Sequence, residues 1–293
     1  MTWYAGLEAI CRPDVSLAEL TWYRLGGPAR WLVAPRTADE LAEVLRRCGA
    51  AGVAWRVLGH GANVLVSEAG FDGAVITLTA PAFAQVTWNP PRVTAGAGAD
   101  FPKLCKEAAT RGLGGMQGLA GVPGSLGGII RMNAGGKYGC IADVAESVKV
   151  MDPGGTVRSL PAAEVGFRYR HTDLRDAIVL AATLYLRSGS PDALLAEFRR
   201  VWQEKHRDQP PVSVRCAGCI FKNPPGDAAG RLLDQAGLKG QRRGAAEIST
   251  RHANFILAHP GATAQDVLDL ILHAKERVRQ EFGVELELEV DLW

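Results

Sequence analysis

The chain has 293 residues, which is long for a single core and reads as two or three domains, since domains run about 100 to 200 residues. A composition that is 47% hydrophobic and 22% charged is that of an ordinary globular protein and excludes fibre and wholesale disorder. A formal charge of only +2, with no block of five like charges, lacks the electrostatic footprint that a phosphate backbone requires, so nucleic-acid binding is set aside.

The longest apolar run, residues 177–186, is about half of the ~20 residues a spanning helix needs. Residues 1–14 carry neither a basic n-region nor a small-residue cleavage site. The six cysteines do not form the dense framework of a secreted scaffold, and Cys48 and Cys105 fall on apolar faces of predicted helices. The expectation is a cytoplasmic monomer that binds neither membrane nor nucleic acid.

In chain order, residues 37–48 predict a surface helix, with Thr37 and Glu40 in capping-box spacing and Leu41, Val44, Leu45 and Cys48 on one face. Strands are predicted at 53–59, 63–66 and 74–79, and the first two are separated by Gly-His-Gly-Ala. A helix is expected at 101–111, then a glycine-rich tract, then strands at 145–151, 155–160 and 177–187. Ser190-Pro191 opens a helix by the N-cap and N1 rule, and Pro210-Pro211 follows its end. The last third carries a long helix from Thr263 to Phe282. It closes with "VELELEVDLW", whose alternation predicts a half-buried strand with Val284, Leu286, Leu288 and Val290 on one side. The domains expected from this reading are 1–80, 81–190 and 191–293, in an α+β fold.

The glycine tract is the most unusual segment. Residues 112–136 contain ten glycines in twenty-five positions, where a usage of ~7% gives about two. Glycine gives up backbone entropy, which a fold tolerates where chains must pack closely or take φ > 0, and such loops often present successive N–H groups to an anion. Tight turns between strands are the bland alternative. Ser125 and Asn133 add polar donors, and Arg131 is the one charge before Lys137, which favours a cradle for a phosphorylated cofactor. Neither "GHGANV" nor "GAGADF" completes G-x-G-x-x-G, and no P-loop motif occurs.

Cys216 and Cys219 form a C-x-x-C pair. A redox pair calls for a helix N-terminus after the first cysteine, whereas "CIFKNPP" reads as β-like, and a zinc site calls for further ligands at metal spacing that the chain lacks. No metal is expected.

Eight blocks, in order along the chain, carry a resemblance: "TWYRLGG" (21–27), "LGHGANVLV" (58–66), "GLAGVPGSLGG" with "NAG" (118–135), "FRYRHTDL" (167–174), "GCIFKNP" (218–224), "AGLKG" (236–240), "RHANFI" (251–256) and "LELEV" (286–290). The chain resembles the UDP-N-acetylenolpyruvoylglucosamine reductases, and its length resembles their shorter class. The resemblance implies two N-terminal domains forming a FAD-binding unit of the vanillyl-alcohol-oxidase/PCMH type and a C-terminal α+β domain for the UDP-sugar, to whose site the final strand returns a glutamate. It implies NADPH as reductant and reduction of an enolpyruvyl ether in peptidoglycan precursor synthesis.

By the same resemblance, Arg170 and Glu289 match the family's catalytic pair, and Cys219 stands where a proton-donating serine is common. A thiol, with an ordinary pKa of about 8.5, is a stronger acid than an alcohol. On periodicity alone, Glu289 is one of four acids on a polar face and Arg170 an ordinary loop arginine. Thr172 and Ala62 each stand where a serine is frequent. The cofactor positions implied are Gly59, Gly61, Ala62, Asn63 and Val64, then Gly121, Pro123, Gly124, Ser125, Gly128 and Asn133. Those implied for substrate are Tyr169, Lys222, Asn223, Lys239 and Asn254. Arg251 and His252 fit a core or capping role as well as a substrate one. Two alternatives remain open: another oxidoreductase of the same fold acting on a hydroxy acid or sugar, and a binding module without catalysis.

Overall fold

The computed structural model describes residues 2–211 and 213–293. The chain divides into two compact units. Unit 1 collects Met1–Pro13, Trp31–His60 and Gly73–Lys205, and unit 2 collects Asp14–Arg30, Gly61–Asp72 and His206–Trp293.

Unit 1 begins its helices with α1, Ala38–Ala51. Thr37 caps it by accepting from the Glu40 N–H at 3.2 Å, while the Glu40 carboxylate reaches the Arg36 N–H at 2.6 Å, one residue before the position a capping box uses. Gly52 ends the helix at φ 64°, in the left-handed region. The expected face, Leu41 to Cys48, is buried. After the short α2, Pro81–Ala84, comes α3, Phe101–Thr110, capped by Asp100 through the Lys103 N–H at 2.8 Å. The six-residue α4, Leu126–Arg131, and the long α5, Pro191–Asp208, complete the set.

The main sheet of unit 1 has the order Val157–Pro161, Ala145–Met151, Ile178–Tyr185, Arg92–Gly96, Val86–Asn89, antiparallel throughout. Its central strand is apolar at every position but Thr183, and α4 packs against it. Val93, Phe101, Ile130, Val148 and Leu184 are fully buried, and each such side chain contributes about 1.5–3 kcal/mol through the area it removes from water. The strand Val86–Asn89 was not among the expected elements, because Val86 and Trp88 are the only apolar residues in four.

Unit 2 holds α6, Ala229–Gln235, and α7, Ala264–Phe282. Thr263 and Asp266 cap α7 reciprocally, Gly283 ends it at φ 67°, and Val267, Leu270, Ile271, Ala274 and Val278 are buried as their spacing predicts. They lie against an antiparallel sheet of Arg242–Arg243, Ala246–Ile248 and Ile256–Ala258. Tyr23 is wholly buried in this core, and its hydroxyl donates to the Ile256 carbonyl at 3.0 Å.

The C-terminal segment departs from the expected continuous strand. Leu286 and Val290 are buried, as alternation predicts, but regular pairing is confined to a single antiparallel bridge, Phe221 with Leu288, and to Asp291–Leu292, which runs parallel to Val64–Leu65. Both the Glu289 and Val290 N–H groups converge on the Ile220 carbonyl, at 2.8 and 3.3 Å. Two residues opposing one is a bulge, which lets the chain leave one partner and join another. Among the described residues, no helix is long and apolar enough to cross a membrane.

Candidate functional site

In unit 1 the first glycine loop meets the glycine tract at one point. A Cβ on Gly59 would lie 2.5 Å from the Ser125 Oγ, so only glycine allows this approach. Ser125 is 4% exposed, and its hydroxyl makes no capping bond to α4. Gly121 and Gly124 flank Pro123 at φ 77° and 129°. The N–H groups of Gly121, Gly124 and Ser125 reach no main-chain acceptor among the described residues, whereas those of Leu126 and Gly127 are taken by the Ala99 and Ala97 carbonyls. Gly128 follows inside α4, where a Cβ would stand 3.8 Å from the Ser125 Oγ.

This is the chemistry a nucleotide pyrophosphate needs: N–H groups without main-chain acceptors, a serine hydroxyl that does not cap its helix, and backbone stripped of side chains. The donor set of unit 1 fits the FAD that the sequence implies.

The far end of the tract builds a second feature. Arg168 and His171 exchange main-chain hydrogen bonds, which closes a hairpin whose tip is Tyr169 and Arg170. Arg170 takes φ 54°, a conformation costly for a residue with a side chain and held only where surroundings impose it. Its guanidinium donates to the Gly135 carbonyl at 2.9 Å and lies 5.2 Å from the Tyr169 ring centroid. Thr172 Oγ1 donates to the Arg131 carbonyl at 2.9 Å. Asn133 spends its amide on the protein, with Nδ2 donating to the Arg168 carbonyl at 2.9 Å and Oδ1 accepting from Ala142 at 3.2 Å. The tract thus supports the hairpin as well as presenting N–H groups.

In unit 2 the segment bearing Cys219 pairs with the C-terminal segment. Lys222 N–H donates to the Glu287 carbonyl at 2.9 Å, in register with the Phe221 and Leu288 bridge and with the Glu289 bond to Ile220. Cys219 therefore lies one residue from the group that holds Glu289. It is partly exposed, whereas Cys216 is buried, and burial raises the Cys216 thiol above its ordinary range. Gly218, at φ 73°, turns the chain between them.

Glu289 is held from its other side by the first glycine loop. Asn63 Nδ2 donates to the Glu289 carbonyl at 2.9 Å, and the Asp291 N–H donates to the Asn63 carbonyl at 3.0 Å. Gly61, at φ 65°, passes so close to Leu20 and Thr21 that a Cβ would strike the Leu20 carbonyl. Ala62 and Val64 continue this loop into the strand that pairs with Asp291–Leu292. Unit 2 thereby joins Asn63, Glu289 and the Cys219 segment by main-chain geometry.

Of the residues expected to meet substrate, Asn254 is 2% exposed and clasps the Phe221 main chain. Its Oδ1 accepts from the N–H at 2.9 Å and its Nδ2 donates to the carbonyl at 2.8 Å. Asn223 Oδ1 accepts from the Ala229 N–H at 3.0 Å, at the start of α6. Lys222 pairs with Glu287 at 3.3 Å and Lys239 with Asp234 at 2.7 Å. Tyr169 is 54% exposed in unit 1. Arg251 donates to the His206 and Arg207 carbonyls at the end of α5. His252 is packed against Phe255 and Gly230, and burial lowers its pKa below the ordinary histidine value.

Two residues escaped the sequence reading. Thr21 is buried beside Gly61 with an unpartnered Oγ1, and its signal lay in the "TWYRLGG" block, read only as part of the resemblance. Lys205 reaches into the glycine tract from α5, and its signal lay in the helical spacing of Phe198, Val201, Trp202 and Lys205.

Comparison with known proteins gives the same assignment by an independent route. Residues 29–161 match the model of an FAD-binding domain, and residues 209–293 that of the UDP-N-acetylenolpyruvoylglucosamine reductase C-terminal domain. A reductase of this name from Symbiobacterium thermophilum is 41% identical over 93% of this chain and 89% of its own. The crystal structure of the Thermus caldophilus UDP-N-acetylenolpyruvylglucosamine reductase aligns with a TM-score of 0.84 at 38% identity, covering 97% of this chain and 99% of that one. A solvent-stable cholesterol oxidase, 19% identical, shares the fold over 61% of this chain and 38% of its own, with a TM-score of 0.50. With its α+β fold, its match to an FAD-binding domain and this likeness along nearly its whole length, the chain belongs to the UDP-N-acetylenolpyruvoylglucosamine reductase family.

Proposed function

We propose that the chain catalyses the NADPH-dependent, FAD-mediated reduction of UDP-N-acetylglucosamine enolpyruvate to UDP-N-acetylmuramate, a step of peptidoglycan precursor synthesis. The observation that carries this reading is the joining, within unit 2, of Asn63 and the Cys219 segment to Glu289 by hydrogen bonds to the Glu289 main chain. The chemistry that FAD supplies when bound is hydride transfer, from NADPH to the enolpyruvyl double bond.

Hydride arrival at the terminal carbon of an enol ether pushes charge into the adjoining carboxylate, so a fixed cation there stabilises the transition state. Arg170 takes that role. Its strained turn and its bond to Gly135 fix the guanidinium before substrate arrives. The carbon next to the carboxylate then needs a proton, which the Cys219 thiol delivers, and the thiolate left behind is reprotonated from solvent. Glu289 is the carboxylate of the family's catalytic pair, held at its own main chain from both sides.

The pyrophosphate of FAD is assigned to the N–H groups and hydroxyl at Gly59, Gly121 to Ser125 and Gly128, with Gly61 to Val64 forming the first loop. Asn133 serves this site by bracing the Arg170 hairpin. Lys222 and Lys239 are the cations assigned to the UDP diphosphate. Asn223 and Asn254 act by fixing the chain that carries Lys222, and Tyr169 offers an exposed ring beside Arg170. The chain is read as a cytoplasmic monomer, in keeping with a soluble nucleotide-sugar substrate.

The test is product identity. Purified protein given NADPH and UDP-N-acetylglucosamine enolpyruvate is expected to yield one UDP-sugar two hydrogens heavier per NADPH oxidised. NADPH oxidation without that product contradicts the substrate assignment.

A further inference from the structure

The apolar stripe of α5 runs through Phe198 and Val201, and the next position on it, Lys205, is a lysine rather than an apolar residue. The ammonium is not spent on a surface ion pair. It donates to the Ala120 carbonyl at 2.7 Å and to the Gly118 carbonyl at 3.4 Å, two acceptors inside the glycine tract. The stem lies on Gly121, where a Cβ would stand 3.6 Å from Lys205 Cδ and from Trp202 Cδ1.

A trans peptide is planar, with its C=O and N–H opposed. Drawing the Ala120 oxygen towards Lys205 therefore turns the Gly121 N–H to the opposite side, and that N–H has no main-chain acceptor among the described residues. A charged donor holding two carbonyls also removes their negative ends from the side that the N–H groups face.

We propose that Lys205 is a positioning residue for the flavin, its ammonium locking the Gly118 to Gly121 backbone so that the Gly121 N–H is presented to the cofactor pyrophosphate. The inference rests on the FAD reading given above. Removal of the ammonium leaves the Ala120 and Gly118 carbonyls free to turn, and the peptide that presents the N–H loses its orientation.

The titration of Lys205 provides a signature that packing alone lacks. Burial lowers its pKa to about 8, and the Arg170 guanidinium on the hairpin lowers it further. The Cys105 thiol on α3 is pushed far up by burial and stays neutral over the working range. Glu204, the neighbour of Lys205 on α5, is engaged by Tyr138 and Arg200. An anion bound at the tract favours the charged lysine, so flavin affinity is highest with the ammonium protonated and falls as pH rises through about 8.

The experiment strips the flavin from the full chain and titrates FAD back, by quenching of its fluorescence, from pH 6.5 to 9. Wild type is expected to weaken across the upper half of that range. Lys205→Met is expected to bind FAD about ten- to a hundredfold more weakly at pH 7, the scale of charged hydrogen bonds, and to lose the pH dependence. Lys205→Arg is expected to recover most of the affinity and to stay flat to pH 9. The wild-type profile needs no variant, so a poorly folding Lys205→Met does not remove the test. Wild type that binds FAD with no weakening up to pH 9, or a folded Lys205→Met within twofold of it, overturns the assignment of Lys205. Wild type that binds no FAD overturns the cofactor reading instead.

Discussion

The side-chain amide of Asn63 donates to the main-chain carbonyl of Glu289 at 2.9 Å, which ties the first glycine loop to the C-terminal segment. The bond runs to the backbone of Glu289, not to its carboxylate. Asn63→Ala is expected to cost about 1 kcal/mol of stability and to lower kcat more than the melting temperature suggests, because Glu289 loses one of its two main-chain anchors. Asn63→Asp replaces the donor with an acceptor facing a carbonyl and is expected to be worse. Urea midpoints and steady-state kinetics on both variants check this.

Cys219 gives the sharpest chemical prediction. Cys219→Ser keeps a proton donor and is expected to retain activity within about tenfold, whereas Cys219→Ala is expected to lose about 10²- to 10⁴-fold in kcat, the usual worth of a positioned acid. Iodoacetamide is expected to inactivate the enzyme and substrate to protect it. Peptide mass showing full alkylation of Cys219 with activity intact would remove the proton-donor role.

Asn254 is predicted to matter through stability. Asn254→Ala strands the N–H and carbonyl of Phe221 in a buried setting, at a cost of about 1–3 kcal/mol for each unsatisfied group. The variant is expected to show a lowered urea midpoint, with KM for the UDP-sugar changing only as far as the Lys222 segment moves. A normal midpoint with a large rise in KM would assign Asn254 to direct substrate contact.

How far these features were legible in the sequence depends on their range. Thr37, Thr263 and Gly283 act on their own helices, so α1 and α7 could be read from spacing and capping alone. The glycine tract was legible as closely packed backbone with φ > 0 because glycine density is a local signal. What eluded the reading is set by partners from distant parts of the chain. The bulge at Glu289 and Val290 arises because Ile220 and Asn63 compete for the same few residues, and alternation in "VELELEV" knows of neither. Lys205 broke the apolar stripe of its helix, and only the Ala120 carbonyl explains why. Arg170 and Glu289 could be chosen among similar residues only by resemblance, since a charge pattern does not say which charge faces a substrate.

His252 predicts a pH effect on stability. Burial lowers its pKa, with the Lys239 charge adding to this, so the folded chain resists protonating the ring. The unfolded chain takes the proton near the ordinary value of about 6.5. As pH falls below that value the unfolded state binds more protons than the folded one, and stability present at neutral pH is lost. The urea midpoint is expected to fall between pH 7 and pH 5, and His252→Gln is expected to show a shallower slope over that window.

The central claim is a flavin-dependent reduction of the enolpyruvyl ether, and an anaerobic absorbance experiment tests it most directly. The flavin band of the purified protein is recorded, bleached with one equivalent of NADPH, and then followed on addition of UDP-N-acetylglucosamine enolpyruvate. The band is expected to bleach and then return in the absence of oxygen. A band that bleaches and stays bleached after the substrate is added would contradict that claim.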